Sequence, residues 1–259
     1  MNTAARNIKD HEKILKEEIF FTKTRWPHFD LLFENIKKLS KKISKDKIII
    51  CLERNLLYGG LSLFAPFFKQ KFISIDCYTE KLFKRGNYNK HLIKNKKLIK
   101  ITKDYSFHYK KINLGKTTGD LIIIPNLLHH VEDVESLILQ SKNILKKNGY
   151  IYIFEPLLRE LHQTPEDYGR FTPYGLQRKM EKLGFINFKI EFNGGPFTAA
   201  AYCWDQAIQY LPSGKRKKEI NWLNKNITHY KKLDLKYSKN LIRKNTKFPV
   251  SFSILAQKK

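Results

Sequence analysis

Hydrophobic residues along this chain fall into two recurring patterns. Short apolar runs, typical of strands that are buried on both faces, alternate with segments in which apolar positions recur at helical spacing. The runs that predict strands occupy residues 47–52, 72–76, 98–102, 121–125, 150–154, 188–192 and 249–256. Helices are predicted over 8–22, 28–44, 59–68, 134–147 and 172–184, and residues 197–244 are mostly helical in pattern. Strands that alternate with helices predict a parallel sheet covered on both faces.

The same pattern divides the chain into an N-terminal segment and one larger domain. Residues 1–45 are predicted to form a helical segment ahead of the first strand, and residues 46–259 to form an α/β domain. A helical insertion at about residues 197–245 is expected to precede the last strand. The expected fold class is therefore α/β, with N-terminal helices and a helical insertion before the last strand.

Composition allows a large core and leaves the meaning of the charge open. The chain has 259 residues, of which 42% are apolar. Its formal net charge is +26, but only nine of its fifty basic residues are Arg, and the lysines are spread along the chain. A proteome-wide compositional bias explains such a charge, and a polyanionic partner such as nucleic acid is the alternative.

Compartment and metal content are also constrained. No apolar run approaches a membrane helix of about 18 residues, and the polar N-terminus predicts no secretory signal, so a cytoplasmic protein is expected. Cys51, Cys77 and Cys203 are far apart, and no CxxC or Cys/His spacing typical of a metal site is present. The sequence therefore predicts neither a disulfide framework nor a bound metal.

Polar residues follow several of the predicted strands. In parallel sheets, ligands bind at the carboxyl ends of the strands, near the point where the strand order reverses. Asp76 ends the second predicted strand, where a carboxylate can accept hydrogen bonds from both hydroxyls of a ribose, although a helix cap or a surface acid is the alternative. Asp104 follows the third strand and could accept from an adenine amino group, or be a surface acid.

Three segments resemble a known family. They are DLIIIPNLLHHVEDVESLILQSKNILKKNGYIYIFEP (120–156), RFTPYGLQRKMEKLGF (170–185) and PVSFSILAQKK (249–259). In order and spacing they resemble the class I S-adenosylmethionine-dependent methyltransferases of the broad type 11 group. The resemblance implies a Rossmann-like three-layer sandwich, with a seven-stranded, mostly parallel sheet and an antiparallel last strand. It also implies S-adenosyl-L-methionine as cofactor and methyl transfer to a nucleophilic acceptor.

The cofactor loop departs from the family pattern. The family's first strand runs into a [DE]-x-G-x-G-x-G turn, whereas this chain has LERNLLYGG at 52–60, with Leu57 on the second glycine position. Either the loop follows another path and Gly59-Gly60 approach the cofactor, or cofactor binding is lost. With binding retained, the resemblance implies a cofactor site of Glu53, Asn55, Gly59, Gly60, Asp76, Asp104, Tyr105, Asn126 and Leu127.

Acceptor-side residues are expected after the fourth and fifth strands. His129 or His130 is a candidate general base, because an imidazole titrates near neutral pH, and a structural role is the alternative. The loop after the fifth strand is expected to line the acceptor pocket, and a solvated loop with a local Asp167–Arg170 ion pair is the alternative. Its candidate acceptor-binding residues are Glu155, Arg159, His162, Tyr168 and Arg170.

Two further segments admit more than one interpretation. The apolar stretch 194–211 is explained by packing against the sheet, and a homodimer face or a lid over the acceptor is the alternative. The basic stretches 215–218 and 224–247 are typical of a solvated face, and contact with phosphates or anionic lipid headgroups is the alternative.

From the family resemblance we expect a methyltransferase acting on a small metabolite or a surface-glycan precursor. An RNA methyltransferase and a non-catalytic binding protein of the same fold are the alternatives.

Overall fold

The computed structural model describes residues 9, 11–13, 15–19, 26–53, 62–76, 104–106, 112, 114–237 and 248–259. For residues 18, 19, 76 and 104–106 it describes the backbone alone. The strands are β1 (Ile48–Glu53), β2 (Lys71–Asp76), β3 (Asp104–Ser106), β4 (Gly119–Pro125), β5 (Leu145–Pro156), β6 (Phe185–Asn193) and β7 (Ser251–Lys258). The helices are α1 (Phe29–Lys42), α2 (Val134–Asn143), α3 (Pro173–Lys182), α4 (Pro196–Ile208) and α5 (Ser213–Tyr237). Short helical turns lie at Leu15–Ile19, Ala65–Phe67 and Leu128–His130.

The strands of the described ranges form one seven-stranded sheet in the order β3-β2-β1-β4-β5-β7-β6. Strands β1 to β5 pair in parallel, whereas β7 runs antiparallel to both β5 and β6. The strand order reverses between β1 and β4, which is the switch point of the sheet. The Rossmann-like fold class with an antiparallel last strand is confirmed.

Both faces of the central strands are buried, as their continuous apolar sequences predict. In β1, Ile50 and Leu52 pack among residues of α2 and α3, whereas Ile49 and Cys51 pack on the opposite face with Phe29 and other residues of α1. Successive side chains of a strand point to opposite faces, so one run of apolar residues serves two layers. The sheet is therefore the middle layer of the fold.

The N-terminal helix and the C-terminal helices complete the helical layers. Helix α1 buries Leu32, Phe33 and Ile36 completely. Helices α4 and α5 share a small apolar cluster around Ala201 and Leu223. None of the helices in the described ranges is long and apolar enough to cross a membrane. Helix α1 packs directly on the sheet. The domain boundary at residue 45 and the helical insertion at about residues 197–245 remain predictions.

Two predicted helices and the predicted position of Asp104 differ from the structure. The apolar run 98–102 lies outside the described residues, and Asp104 begins β3 rather than following it. Among the described strands, β3 pairs with β2 alone, so it lies at the edge, where a strand need not be apolar. The helix predicted over 59–68 is limited, over 62–68, to the single turn Ala65–Phe67, because β2 begins soon after Pro66.

The helix predicted over 134–147 also ends earlier. Helix α2 stops at Asn143, and β5 already begins at Leu145. The buried Leu145 pairs with Gly119 of β4, and Asn148 adopts a positive φ of 61° where the ladder is irregular. The signal of Asn148-Gly149 therefore marks an irregularity inside β5 rather than the end of a helix.

Candidate functional site

The carboxyl end of β1 carries a buried acid. The carboxylate of Glu53 accepts hydrogen bonds from the hydroxyls of Ser62 and Ser74 and, at 3.1 Å, from the backbone N–H of Leu63. Ser74 lies on the neighbouring strand β2, while Ser62 and Leu63 directly precede the turn at Ala65–Phe67. Glu53 therefore links the segment that begins at Ser62 to strands β1 and β2.

Asp76 lies opposite Glu53 in the parallel register of β2 and β1. On its other side, Asp76 is opposite Ser106 of β3. Asp104 and Tyr105 lie within β3 and pair with Ser74 and Ile75, so they do not follow the strand as predicted. Two acids, Glu53 and Asp76, thus end adjacent strands next to the switch point.

Asn126 begins the turn that follows β4. Its backbone adopts a φ of 57°, a left-handed conformation that Asn tolerates better than most residues. Its N–H donates to Phe154 O at 2.8 Å. The side-chain Oδ1 is buried and has no hydrogen-bond partner among the described residues. An orphaned, buried amide oxygen at a switch point is suited to receive a donor from a ligand.

Glu155 organises the turn Leu128–His130. The carboxylate of Glu155, which is completely buried, accepts from the N–H groups of Leu127 and Leu128 at 2.8 and 2.7 Å. Its other oxygen lies 2.6 Å from Nδ1 of His129. These contacts give Glu155 a positioning role, and its predicted contact with an acceptor stays a prediction.

Three histidines meet beside this turn. The ring centroids of His129 and His130 are 4.0 Å apart, and His162 lies 5.2 and 4.9 Å from them. One nitrogen of each ring lies within 4.8 Å of the others. Sequence spacing does not indicate this cluster, because the loop after β5 folds back and adds His162 to the pair that follows β4.

The loop after β5 is held by the Asp167–Arg170 ion pair, which was the alternative expected from the sequence. Arg170 makes two hydrogen bonds to the carboxylate of Asp167 and donates from Nη2 to Glu160 O at 2.8 Å. Burial alone would raise the pKa of Asp167, but its hydrogen bonds with Arg170 and with the N–H of His162 hold that pKa well below the usual range. Arg170 therefore supports the loop, whereas Tyr168 remains half-exposed and donates its N–H to His129 O at 2.8 Å.

Arg159 lies on the other side of the loop. Its guanidinium stacks over Trp26 at 4.6 Å and donates to Nε2 of His28 at 3.1 Å. Burial and the charge of Arg159 hold the pKa of His28 well below its usual value. Glu160 accepts from the hydroxyl of Tyr202, which joins the loop to α4. The loop thus bridges the turn after β4, the start of α1 and α4.

The structure therefore brings together most of the predicted acceptor-side residues, but in supporting roles for several. Asn55, Gly59, Gly60 and the problem position Leu57 lie outside the described residues. Sequence analysis missed Ser62, Ser74 and Tyr202. A serine within the apolar stretch Leu61–Phe64 was a signal for Ser62, whereas nothing local indicates that Glu160 meets Tyr202.

Comparisons with known proteins add the fold family. No protein-family model matches the chain, and no curated protein matches it. Among solved structures, it is similar to a phosphoethanolamine N-methyltransferase 2 of Haemonchus contortus in complex with S-adenosyl-L-methionine, with a TM-score of 0.50 and 13% identity. That match covers 88% of this chain and 52% of the other, so this chain spans about half the length of that protein.

A second similar structure matches along nearly its full length. It is a SAM-dependent methyltransferase from Archaeoglobus fulgidus, with a TM-score of 0.50, 16% identity, and 88% of this chain and 94% of that chain covered. At such low identity the likeness establishes the fold. The chain has the class I S-adenosylmethionine-dependent methyltransferase fold, as its motifs imply.

Proposed function

We propose that this protein is an S-adenosylmethionine-dependent methyltransferase that acts on a small-molecule acceptor. The observation that carries the proposal is the register of β1 and β2, which sets Glu53 and Asp76 side by side at the switch point. In open α/β sheets, this edge is where nucleotide-like ligands bind. The similarity of the fold to methyltransferases supports the same assignment.

The described residues fit the cofactor. Asp76 ends β2, where a carboxylate would accept from the two ribose hydroxyls. The orphaned Oδ1 of Asn126 would accept from a donor of the bound molecule. Glu53 would act indirectly, because its carboxylate already holds Ser62 and Leu63 and so positions the chain that returns from the cofactor loop.

The chain's own part in the reaction is placement. When bound, S-adenosyl-L-methionine supplies a sulfonium methyl carbon that an acceptor nucleophile attacks in line. The turn Leu128–His130 is fixed by Glu155, so its histidines are held at a defined place beside the cofactor edge. His129 and His130 are therefore assigned to the acceptor side, where they would bind the acceptor or receive its proton.

The loop after β5 favours a small acceptor over a macromolecule. It is joined to the turn after β4 through Tyr168 and His129, and to α4 through Glu160 and Tyr202. We expect a loop tied on both sides to restrict access to the strand ends. Phosphorylated amines are the first acceptor class to test, since the Haemonchus contortus protein is named for phosphoethanolamine, and glycan precursors are the second.

Calorimetric titration with S-adenosylhomocysteine tests the cofactor assignment. We expect micromolar binding by the wild-type protein, and a loss of about tenfold or more in Asp76→Asn, because a hydrogen bond to a charged group contributes about 1.5–3 kcal/mol. Asp46→Asn is the matched control, since Asp46 is exposed in the turn before β1. Absence of binding by a folded wild-type protein would overturn the proposal and favour the non-catalytic alternative.

Methyl transfer from labelled cofactor is then measured with the two small-molecule acceptor classes and with RNA in parallel. Transfer to a small molecule supports the proposal. Transfer to RNA alone, with affinity that falls steeply as salt rises, would replace it with the RNA methyltransferase.

A further inference from the structure

Each of the three clustered histidines has its Nδ1 next to a hydrogen-bond acceptor of the protein. Nδ1 of His129 lies 2.6 Å from the Glu155 carboxylate, and Nδ1 of His130 lies 2.5 Å from Glu166 O. Nδ1 of His162 lies 3.1 Å from Glu160 O and 3.2 Å from the Asp167 carboxylate. A carbonyl or carboxylate partner places the ring proton on Nδ1, which leaves the lone pair of each neutral imidazole on Nε2.

This arrangement matches the surroundings of histidines that bind metals. Such a histidine almost always donates its second ring N–H to a carboxylate or a backbone carbonyl, which fixes the ring and its tautomer. Two of the three rings here have a carboxylate partner, and all three have the acceptor on the same nitrogen. A group of buried imidazoles that only fills space does not need a common tautomer.

We propose that His129, His130 and His162 form a three-histidine site for a divalent transition metal, with Zn²⁺ as the ion of first choice. Three imidazole nitrogens with a fourth, open position are one of the arrangements of catalytic zinc sites. Imidazole ligands also suit copper, iron and nickel, so the donor set does not by itself exclude them. This assignment replaces our expectation from sequence spacing that the chain lacks a metal site.

The distances are compatible with the proposal after small ring movements. One ring nitrogen of each histidine already lies within 4.8 Å of a ring nitrogen of the other two. Coordination at a Zn–N distance of about 2.0–2.1 Å requires each ring to move inward by less than about 1 Å. His129 and His130 are buried, whereas the side chain of His162 is 12% exposed and gives the ion a route of entry.

The site lies at the carboxyl ends of β4 and β5, on the acceptor side of the proposed active site. A metal there would hold the Nε2 atoms, so His129 and His130 could not also remove a proton from the acceptor. The fourth position would then bind the acceptor itself. That last assignment rests on the proposed function, whereas binding of the ion does not.

Titration of chelator-treated protein with ZnSO₄ by calorimetry tests the site directly. We expect one ion per chain and a loss of affinity of about 100-fold or more in His162→Gln. Asp167→Asn removes the negative charge next to Nδ1 of His162, and we expect this variant to lose about 10–100-fold in zinc affinity. His229→Gln is the matched control, because His229 is exposed on α5. Equal zinc affinity in wild type and His162→Gln would overturn the proposal.

A measurement on the unaltered protein covers the case in which a variant does not fold. Zinc-edge X-ray absorption of the 1:1 complex should show three imidazole ligands at about 2.0–2.1 Å. Two or fewer would overturn the site. S-adenosylhomocysteine binding, measured separately, tells failure of the metal site apart from failure of the proposed function.

Discussion

The carboxylate of Glu155 lies 2.6 Å from Nδ1 of His129, although Glu155 lies near the end of β5 and His129 lies in the turn after β4. The same carboxylate accepts from the N–H groups of Leu127 and Leu128. One buried side chain of β5 thereby sets both the backbone and the ring orientation of the turn after β4. The geometry of the turn Leu128–His130 depends on this relationship.

Replacing Glu155 with Gln tests its positioning role. The amide oxygen can still accept from Leu127 and Leu128, but the NH₂ group would face the Nδ1 proton of His129. We expect a loss of about 1–3 kcal/mol in the free energy of unfolding, measured in urea, because a buried donor loses its acceptor. Glu135→Gln, at an exposed site paired with Lys179, should change stability by less than about 0.5 kcal/mol. Equal losses in both variants would contradict the assigned role.

Asp234 and Gly195 should show strong coupling in a double-mutant cycle. Asp234 accepts from the N–H groups of Phe197 and Thr198 at 3.0 and 2.8 Å, and so caps α4 from α5. A Cβ added to Gly195 would lie 2.5 Å from the Asp234 carboxylate. We expect Asp234→Ala to cost about 0.5–2 kcal/mol.

Gly195→Ala should cost much less in the Asp234→Ala background than alone, with a coupling energy of about 0.5–3 kcal/mol. Thermal and urea unfolding of the four proteins measure this coupling. Gly214→Ala is the control, because no atom lies within 4 Å of an added Cβ there. Simple additivity would show that Asp234 and Gly195 are not in contact.

The loop after β5 should loosen when Arg170 becomes Lys. Lysine keeps the charge but cannot make the paired hydrogen bonds to Asp167 together with the bond to Glu160 O. If the folded conformation of the loop loses about 1 kcal/mol of stability, its open form becomes about fivefold more populated. We therefore expect about fivefold faster cleavage within 157–171 under limited proteolysis. Arg178→Lys, at an exposed pair with Glu181, should leave the rate unchanged.

Stability should fall in mild acid through His11. His11 is buried and lies with Nε2 at 2.7 Å from Leu63 O, and its burial lowers the pKa below the usual value. Since the unfolded chain binds a proton at about pH 6.5, the stabilisation is complete above that pH and is lost as the pH falls below it.

We therefore expect urea unfolding between pH 7.5 and 5 to show a smaller loss of stability in His11→Gln than in the wild type. Glutamine retains a donor for Leu63 O but has no titrating ring. His229→Gln controls for the removal of an exposed imidazole. An unchanged pH dependence in His11→Gln would rule out this contribution.

The central sheet could be predicted because its strands are buried on both faces. The runs Leu121–Pro125 and Tyr150–Phe154 are almost wholly apolar, and few other structures accommodate such runs. The edge strand β3 could not be predicted in this way. Among the described strands it pairs with β2 alone, so it is recognised in the structure by its hydrogen bonds and not by an apolar sequence pattern.

Positions of site residues could be predicted better than their roles. Residues at strand ends could be named from order alone, which located His129 and Glu155. Whether a carboxylate faces a ligand or a backbone turn depends on burial, and Glu155 is completely buried. The contact of His162 with His129 and His130 depends on how a long loop folds back, and no local pattern indicates that path.

Strand β6 has β7 as its single neighbour in the described sheet, and β7 comes last in chain order. During synthesis, β6 leaves the ribosome with no strand to pair with until residues 194–250 have followed. At about 5–20 residues per second, that interval lasts about 3–11 s. The alternating charges Lys189 and Glu191 on β6 would discourage pairing with foreign strands during this time. Because β7 is synthesised after β6, the pairing of β6 with the rest of the sheet is a late event in folding during synthesis.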